Sequence, residues 1–171
     1  MAAYLSLPAF EVLIDSVEND PTCTNAIKAL TNGILNYYFP ITDGWIVAPE
    51  AKKDTIGEFM VFRVKRRYPG GRSFVDHIVA EARKAVDGSF DQMRLALEKS
   101  SPEAGRCWGV YFHGVNVEFF EYHRDIQGLI PWCLAQPTRK VFHVRNDSRV
   151  VDEMMRCMSQ QARESTMSLV F

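Results

Sequence analysis

The chain has 171 residues, 47% of them apolar and 24% charged, with a formal net charge of -1 and a pI near 6.4. That is enough chain for one globular domain with a real core, and the balance lacks the basic excess of a dedicated nucleic-acid binder. No stretch approaches the roughly 20 apolar residues of a membrane span, and Met1 to Ile14, with Pro8 and Glu11 and no basic start, does not read as a signal peptide.

Phe10, Leu13, Ile14 and Val17 fall at helical spacing and predict a helix over 8–18, with Pro8 suited to its first turn. After the break at Asn19-Asp20-Pro21, a longer helix is expected over 22–38, with Ala26, Ile27, Leu30, Ile34 and Leu35 on one side and Pro40 as its stop. Both are expected to pack on the sheet that follows.

From Gly44 the period changes. Trp45-Ile46-Val47 reads as a short strand and Ala51 to Thr55 as a polar loop. Residues 58–66 and 74–83 read as longer strands, joined by the turn Tyr68-Pro69-Gly70-Gly71. Ser89 is a fitting N-cap for a helix over 90–100, where Phe90, Met93 and Leu97 make one apolar stripe. Strands are expected at 107–112 and 115–122, joined at His113-Gly114. Asp125 to Pro137 is irregular, 141–144 could pair at a sheet edge, and Val151, Met154, Met155, Met158 and Ala162 predict a last helix within 146–163, with 164–171 frayed.

The four cysteines, Cys23, Cys107, Cys133 and Cys157, form no CxxC and no zinc spacing, so reduced and mostly buried thiols are expected. With the absence of a leader this points to an intracellular protein, cytoplasmic or nuclear. No Ser/His/Asp order, nucleophile elbow, P-loop or dinucleotide fingerprint is present.

The pattern that carries chemistry is an acid opening one strand, Glu58, and Glu81-Ala82-Arg83-Lys84 closing the next. Upstream stands Trp45-Ile46-Val47-Ala48-Pro49-Glu50; Gln92 falls in the following helix; and Trp108-Gly109-Val110-Tyr111-Phe112 leads into Val117-Glu118-Phe119-Phe120. In this order the segments resemble the restriction-endonuclease-like, or PD-(D/E)XK, superfamily, and especially small fungal domains of that type, over residues 40–125. The resemblance implies an α/β single domain over 1–171, with N-terminal helices at 8–38, a nuclease-like mixed central sheet at 43–125 and a C-terminal helix at 146–163. It also implies Mg²⁺ or Mn²⁺ held by Glu58 and Glu81, with a base two residues after the second acid.

Two positions depart from the family pattern. Gly57-Glu58 replaces Pro-Asp, and Arg83 replaces the lysine. Glu in place of Asp moves the carboxylate by about 1.5 Å. Arginine stays protonated, so Arg83 can hold an anion but cannot act as a base. Glu81 and Arg83 share a strand face, Lys84 takes the other, and a regular strand would put His77 beside Glu81.

The leading expectation is therefore a divergent member that has lost nucleic-acid cleavage. It would bind and process a small organic molecule without metal, as a cyclase, isomerase or lyase in specialised metabolism, using Glu58, Glu81, Arg83, Lys84 and His77. The alternative is a Mg²⁺-dependent endonuclease, with Arg63, Lys65, Arg66, Arg67 and Arg72 on the phosphate backbone. The third is a non-catalytic interaction module, dimeric through the edge at 141–144. His113, His123 and His143 carry less weight than His77, and the aromatic residues read as core that could also line an apolar pocket.

Overall fold

The computed structural model describes residues 2–55, 57–68, 70–84, 90–102, 105–134 and 138–167, with side chains through 161. The expected features at Pro69 and Ser89, and part of the expected fraying after 164, lie outside these residues.

The first two helices form where one apolar stripe demands it. Helix α1 (Pro8–Asn19) buries Phe10, Ile14 and Val17, and α2 (Thr24–Tyr38) buries Ile27, Leu30, Ile34, Leu35 and Tyr38. They pack on each other and lead into a seven-stranded sheet. Strand β1 (Trp45–Lys53), β2 (Glu58–Arg67) and β3 (Phe74–Arg83) form an antiparallel meander. Helix α3 (Asp91–Glu98) lies in the connection to β4 (Arg106–His113), which pairs parallel with β3. A parallel pair requires such a crossover. Strand β5 (Asn116–His123) returns antiparallel. Its far side is shared by β6 (Gly128–Pro131) and β7 (Val141–His143). Helix α4 (Ser148–Met167) follows.

The chain is thus a single α/β domain with a mixed central sheet flanked by helices on both sides. Two cores result. The larger joins α1, α2 and α4 to the face bearing Phe62, Val64, Ile78, Ala80, Trp108, Val110, Phe112 and Phe119. The smaller joins Met93 and Leu97 of α3 to Phe59, Val61, Val79, Tyr111, Phe120 and Tyr122. Gly109 lets α3 approach. A Cβ there would stand 3.3 Å from the Phe120 Cβ and 3.5 Å from Leu97 Cδ1.

Strand β1 is longer than its apolar start suggests. It runs on through Pro49 to Lys53, with Pro49 opposite Phe62. As the sheet's edge strand it can carry a proline and charged residues, because one row of its backbone groups needs no partner strand. Strand β6 was not expected at all. It is four residues long and ends at Pro131, too short to show a period.

No disulfide joins the four cysteines; Cys107 is buried and the other three are half-buried, fewer buried thiols than expected. Among the described residues no helix is long and apolar enough to cross a membrane.

Candidate functional site

Strand β3 carries Glu81 and Arg83 on the α3 face. Glu81 is fully buried and Arg83 is 4% exposed. Arg83 Nε donates to Glu81 Oε1 at 2.7 Å, and its Nη2 donates to Asp54 Oδ2 at 2.8 Å. The guanidinium also lies 4.1 Å from the centre of the Phe59 ring, a cation–π contact.

Asp54 sits in the turn after β1. The turn is closed by the Asp54 N–H on the Gly57 carbonyl at 3.1 Å and by the Gly57 N–H on Asp54 Oδ1, also 3.1 Å. Gly57 has φ +142°, which a proline ring, fixed near −65°, cannot reach. Glycine where the resembled family has proline is therefore the residue that lets this turn deliver Asp54.

The parallel register of β3 and β4 sets Glu81 beside Tyr111 and Arg83 beside His113. The antiparallel register of β4 and β5 sets Tyr111 beside Glu118. His113 stacks on Tyr111, ring centres 5.3 Å apart and planes 29° apart, and its Nε2 lies 3.2 Å from Glu118 Oε1. Phe90 closes over Tyr111 edge-on at 5.2 Å. One end of the α3 face thus collects Asp54, Glu81, Arg83, Tyr111, His113 and Glu118.

The electrostatics of this cluster are set by burial. Burial raises the Glu81 pKa above the usual carboxylate value, and the Arg83 contact opposes it without winning. For Arg83 the balance falls the other way. Burial works against its charge, but two acids, Asp54 and Glu81, outweigh that cost and hold its pKa up. Burial, with the Glu81 charge, pushes the Tyr111 phenol up to about 12. Three polar atoms of the cluster, Glu81 Oε2, the Tyr111 hydroxyl and His113 Nε2, are buried with no hydrogen-bond partner among the described residues. Each such atom costs about 1–3 kcal/mol of desolvation.

The structure does not bring all the expected residues here. Glu58 is exposed at the start of β2, opposite Lys53. Alternation places it with Met60, Phe62 and Val64 on the other face of the sheet, so it does not converge with Glu81. His77 is displaced by a β-bulge. Val64 pairs Ile78 and Lys65 pairs Asp76, which leaves His77 as the extra residue. The bulge corrects the regular-strand expectation: the His77 ring packs on the helix side against Trp45 at 5.1 Å and Phe39 at 6.3 Å. Its Nε2 lies 2.7 Å from the Met158 carbonyl, to which it donates. Burial pulls its pKa down to about 4, against the opposing pull of that carbonyl. Lys84 lies just past the end of β3 and half-buried; pairing with β4 stays regular through Arg83, so no bulge turns Lys84 inward.

A divalent cation does not fit the residues present. Asp54 and Glu81 each give an oxygen to the Arg83 guanidinium, which occupies the space between them. Among the described residues no group of three His, Cys, Asp or Glu side chains could hold a metal ion.

The basic run does not form one track either. Arg63 donates to Glu50 Oε1 at 2.8 Å and lies 3.6 Å from Asp76 Oδ2. Lys65 lies 3.9 Å from Asp76 Oδ1. Arg67 donates to the Gly71 carbonyl at 3.0 Å, and Arg66 acts on His77 from the helix side. Arg72 is exposed.

Asp54, Tyr111, His113 and Glu118 were not expected as a group. Tyr111 and His113 arrive through the parallel pairing of β3 with β4, Glu118 through the antiparallel β5 and Asp54 from the β1–β2 turn, and no local spacing encodes that combination. The Asp54–Gly57 turn was the one local signal, since Asp followed by Gly within four residues favours a side-chain-closed turn. No family model, no curated protein and no solved structure matches this chain.

Proposed function

We propose that this chain is a divergent restriction-endonuclease-like domain that has given up nucleic-acid cleavage and binds and processes a small organic molecule by metal-free acid–base and electrostatic chemistry. The helix, three-strand meander, crossover helix and parallel fourth strand support the resemblance. The observation that carries the functional reading is the Arg83 guanidinium bridging Asp54 and Glu81. It supplies a permanent positive charge where the family would hold an ion.

The chemistry this suits is proton transfer within one molecule, an isomerisation. Glu118 Oε1 lies 3.2 Å from His113 Nε2 without a hydrogen bond between them, so an acid faces the imidazole that serves as base. The substrate proton leaves for His113. The electron pair left behind lies beside Arg83, whose charge stabilises it without a proton transfer from the guanidinium. Glu81, whose burial favours its protonated form, returns a proton at a second atom, and the proton taken up by His113 passes back to Glu81 as product leaves. The unmatched Tyr111 hydroxyl and Glu81 Oε2 favour a guest that offers both an acceptor and a donor.

The test is calorimetric titration of Mg²⁺ and Mn²⁺ into the wild type and the Glu58→Ala/Glu81→Ala variant, beside a nuclease assay on single- and double-stranded substrates. We expect no metal binding that depends on these acids, and no cleavage. Metal binding lost in the variant together with metal-dependent cleavage overturns the reading in favour of an endonuclease. A thermal-shift screen of small carbonyl compounds follows, with hits expected to fail on His113→Gln.

A further inference from the structure

A groove lies one strand over from Glu81, between the β1–β2 edge and α3. Its floor is Phe59 and Val61, its rim Lys52 and Arg63 from the sheet and Leu95 and Lys99 from α3. Val61 is the register partner of Glu81, and the Phe59 ring carries Arg83, so the groove adjoins the site. Its volume is about 150 Å³, roughly five waters. That admits one small head group with a ring or short chain.

We infer that this groove binds a small organic anion, a carboxylate or phosphate monoester on an apolar body, with Lys52, Arg63 and Lys99 holding the charge and Phe59, Val61 and Leu95 the body. The charge balance selects that occupant. Glu50 is shared by Lys52 at 3.3 Å and Arg63 at 2.8 Å. Asp76 is shared by Arg63 and Lys65. Lys99 meets no acid within salt-bridge distance among the described residues. Four cations thus face two acids. The Arg63 Nη1 lies 3.6 Å from Asp76 Oδ2 and makes no hydrogen bond among the described residues, so this donor is only loosely engaged. Leu95, 42% exposed beside these cations, gives the apolar contact that a bare inorganic ion would not use. As the substrate's class, this anion rests on the function proposed above; as a binding site, the groove stands without it.

The experiment titrates benzoate and phenyl phosphate, with benzyl alcohol as the neutral control, into the ¹⁵N-labelled full chain. The amides of Val61 and Lys99 are followed. Saturable shifts for both anions, weakened by salt and absent for the alcohol, are expected. Lys52→Gln/Lys99→Gln, both exposed positions, lowers the affinity about tenfold, as loss of charge-assisted contacts predicts. Lys140→Gln leaves it unchanged. Equal binding of the alcohol, or anion binding that ignores the double variant, overturns the inference. So does a 5′-phosphorylated oligonucleotide whose affinity grows with its length, because the occupant is then a nucleic-acid backbone. His113→Gln separates the two readings. It abolishes turnover if the acid–base reading holds, and it leaves anion affinity intact whether or not that reading holds.

Discussion

Arg83 Nη2 donates to Asp54 Oδ2 at 2.8 Å, so the acid that meets the Glu81-Ala82-Arg83 segment comes from the β1–β2 turn and not from the first residue of β2. The pairing leaves Glu81 as a buried carboxylate with one oxygen spent on Arg83 and one unmatched.

That arrangement gives Glu81 a signature in pH. Burial raises its folded pKa above 4.5, so the unfolded chain releases this proton more readily. Its contribution to stability is complete below the ordinary value and is lost as pH rises through the raised one. Glu81→Gln removes the ionisable group, and the wild-type decline above pH 4.5 should flatten in the variant. Urea midpoints across neutral and mildly acidic pH measure this; an unchanged slope contradicts it.

His77 acts in the opposite direction. Its folded pKa is depressed to about 4 from 6.5, so its contribution is present above 6.5 and is lost as pH falls toward 4. His77→Gln, which keeps a donor for the Met158 carbonyl, should remove this acid loss while leaving the behaviour of Glu81 in place. The same midpoints in the single and double variants should add, because the two residues sit on opposite faces of the sheet.

Tyr111→Phe deletes a buried hydroxyl that has no partner among the described residues. The fold should hold or gain about 1 kcal/mol, since an unmatched polar group is removed without a cavity. Any ligand found for the site should bind more weakly to the variant. A clear loss of stability would mean that the hydroxyl is satisfied by an internal water.

Arg145 ties α1 to the turn after β7, reaching Glu11 at 2.6 Å and Glu18 at 3.2 Å, with Asp15 also in contact. These acids lie on successive turns of one helix face. Arg145→Ala should speed hydrogen exchange at α1 amides and leave the central strands unchanged. At about 1 M salt, where screening is nearly complete, the two proteins should exchange alike.

The helices and long strands were legible because each is decided locally. Phe10, Ile14 and Val17 repeat at the helical period and are all buried, and β2 and β3 begin at Glu58 and Phe74 as their composition indicates. The polar half of β1 was hidden because Ala51, Lys52 and Lys53 read as loop residues until β2 is known to pair with them. At the site, Glu81 and Arg83 were readable from i, i+2 spacing. Their neighbours Tyr111 and His113 depend on the parallel register, which α3 and its flanking connections set.

The bulge in β3 has a consequence for how this face can change. On either side of His77 the strand obeys opposite parity, so Asp76 joins Glu81 and Arg83 on the α3 face while His77 does not. Removing one residue at that point would restore a single alternation along the whole strand. Deleting Asp76 would set His77 in its place and carry an imidazole to the α3 side, whereas deleting His77 would leave Asp76 where it is, with no change in any residue of the cluster itself. A one-codon deletion is therefore a shorter route to new chemistry on this sheet than several substitutions would be, and the bulge is what holds that route in reserve.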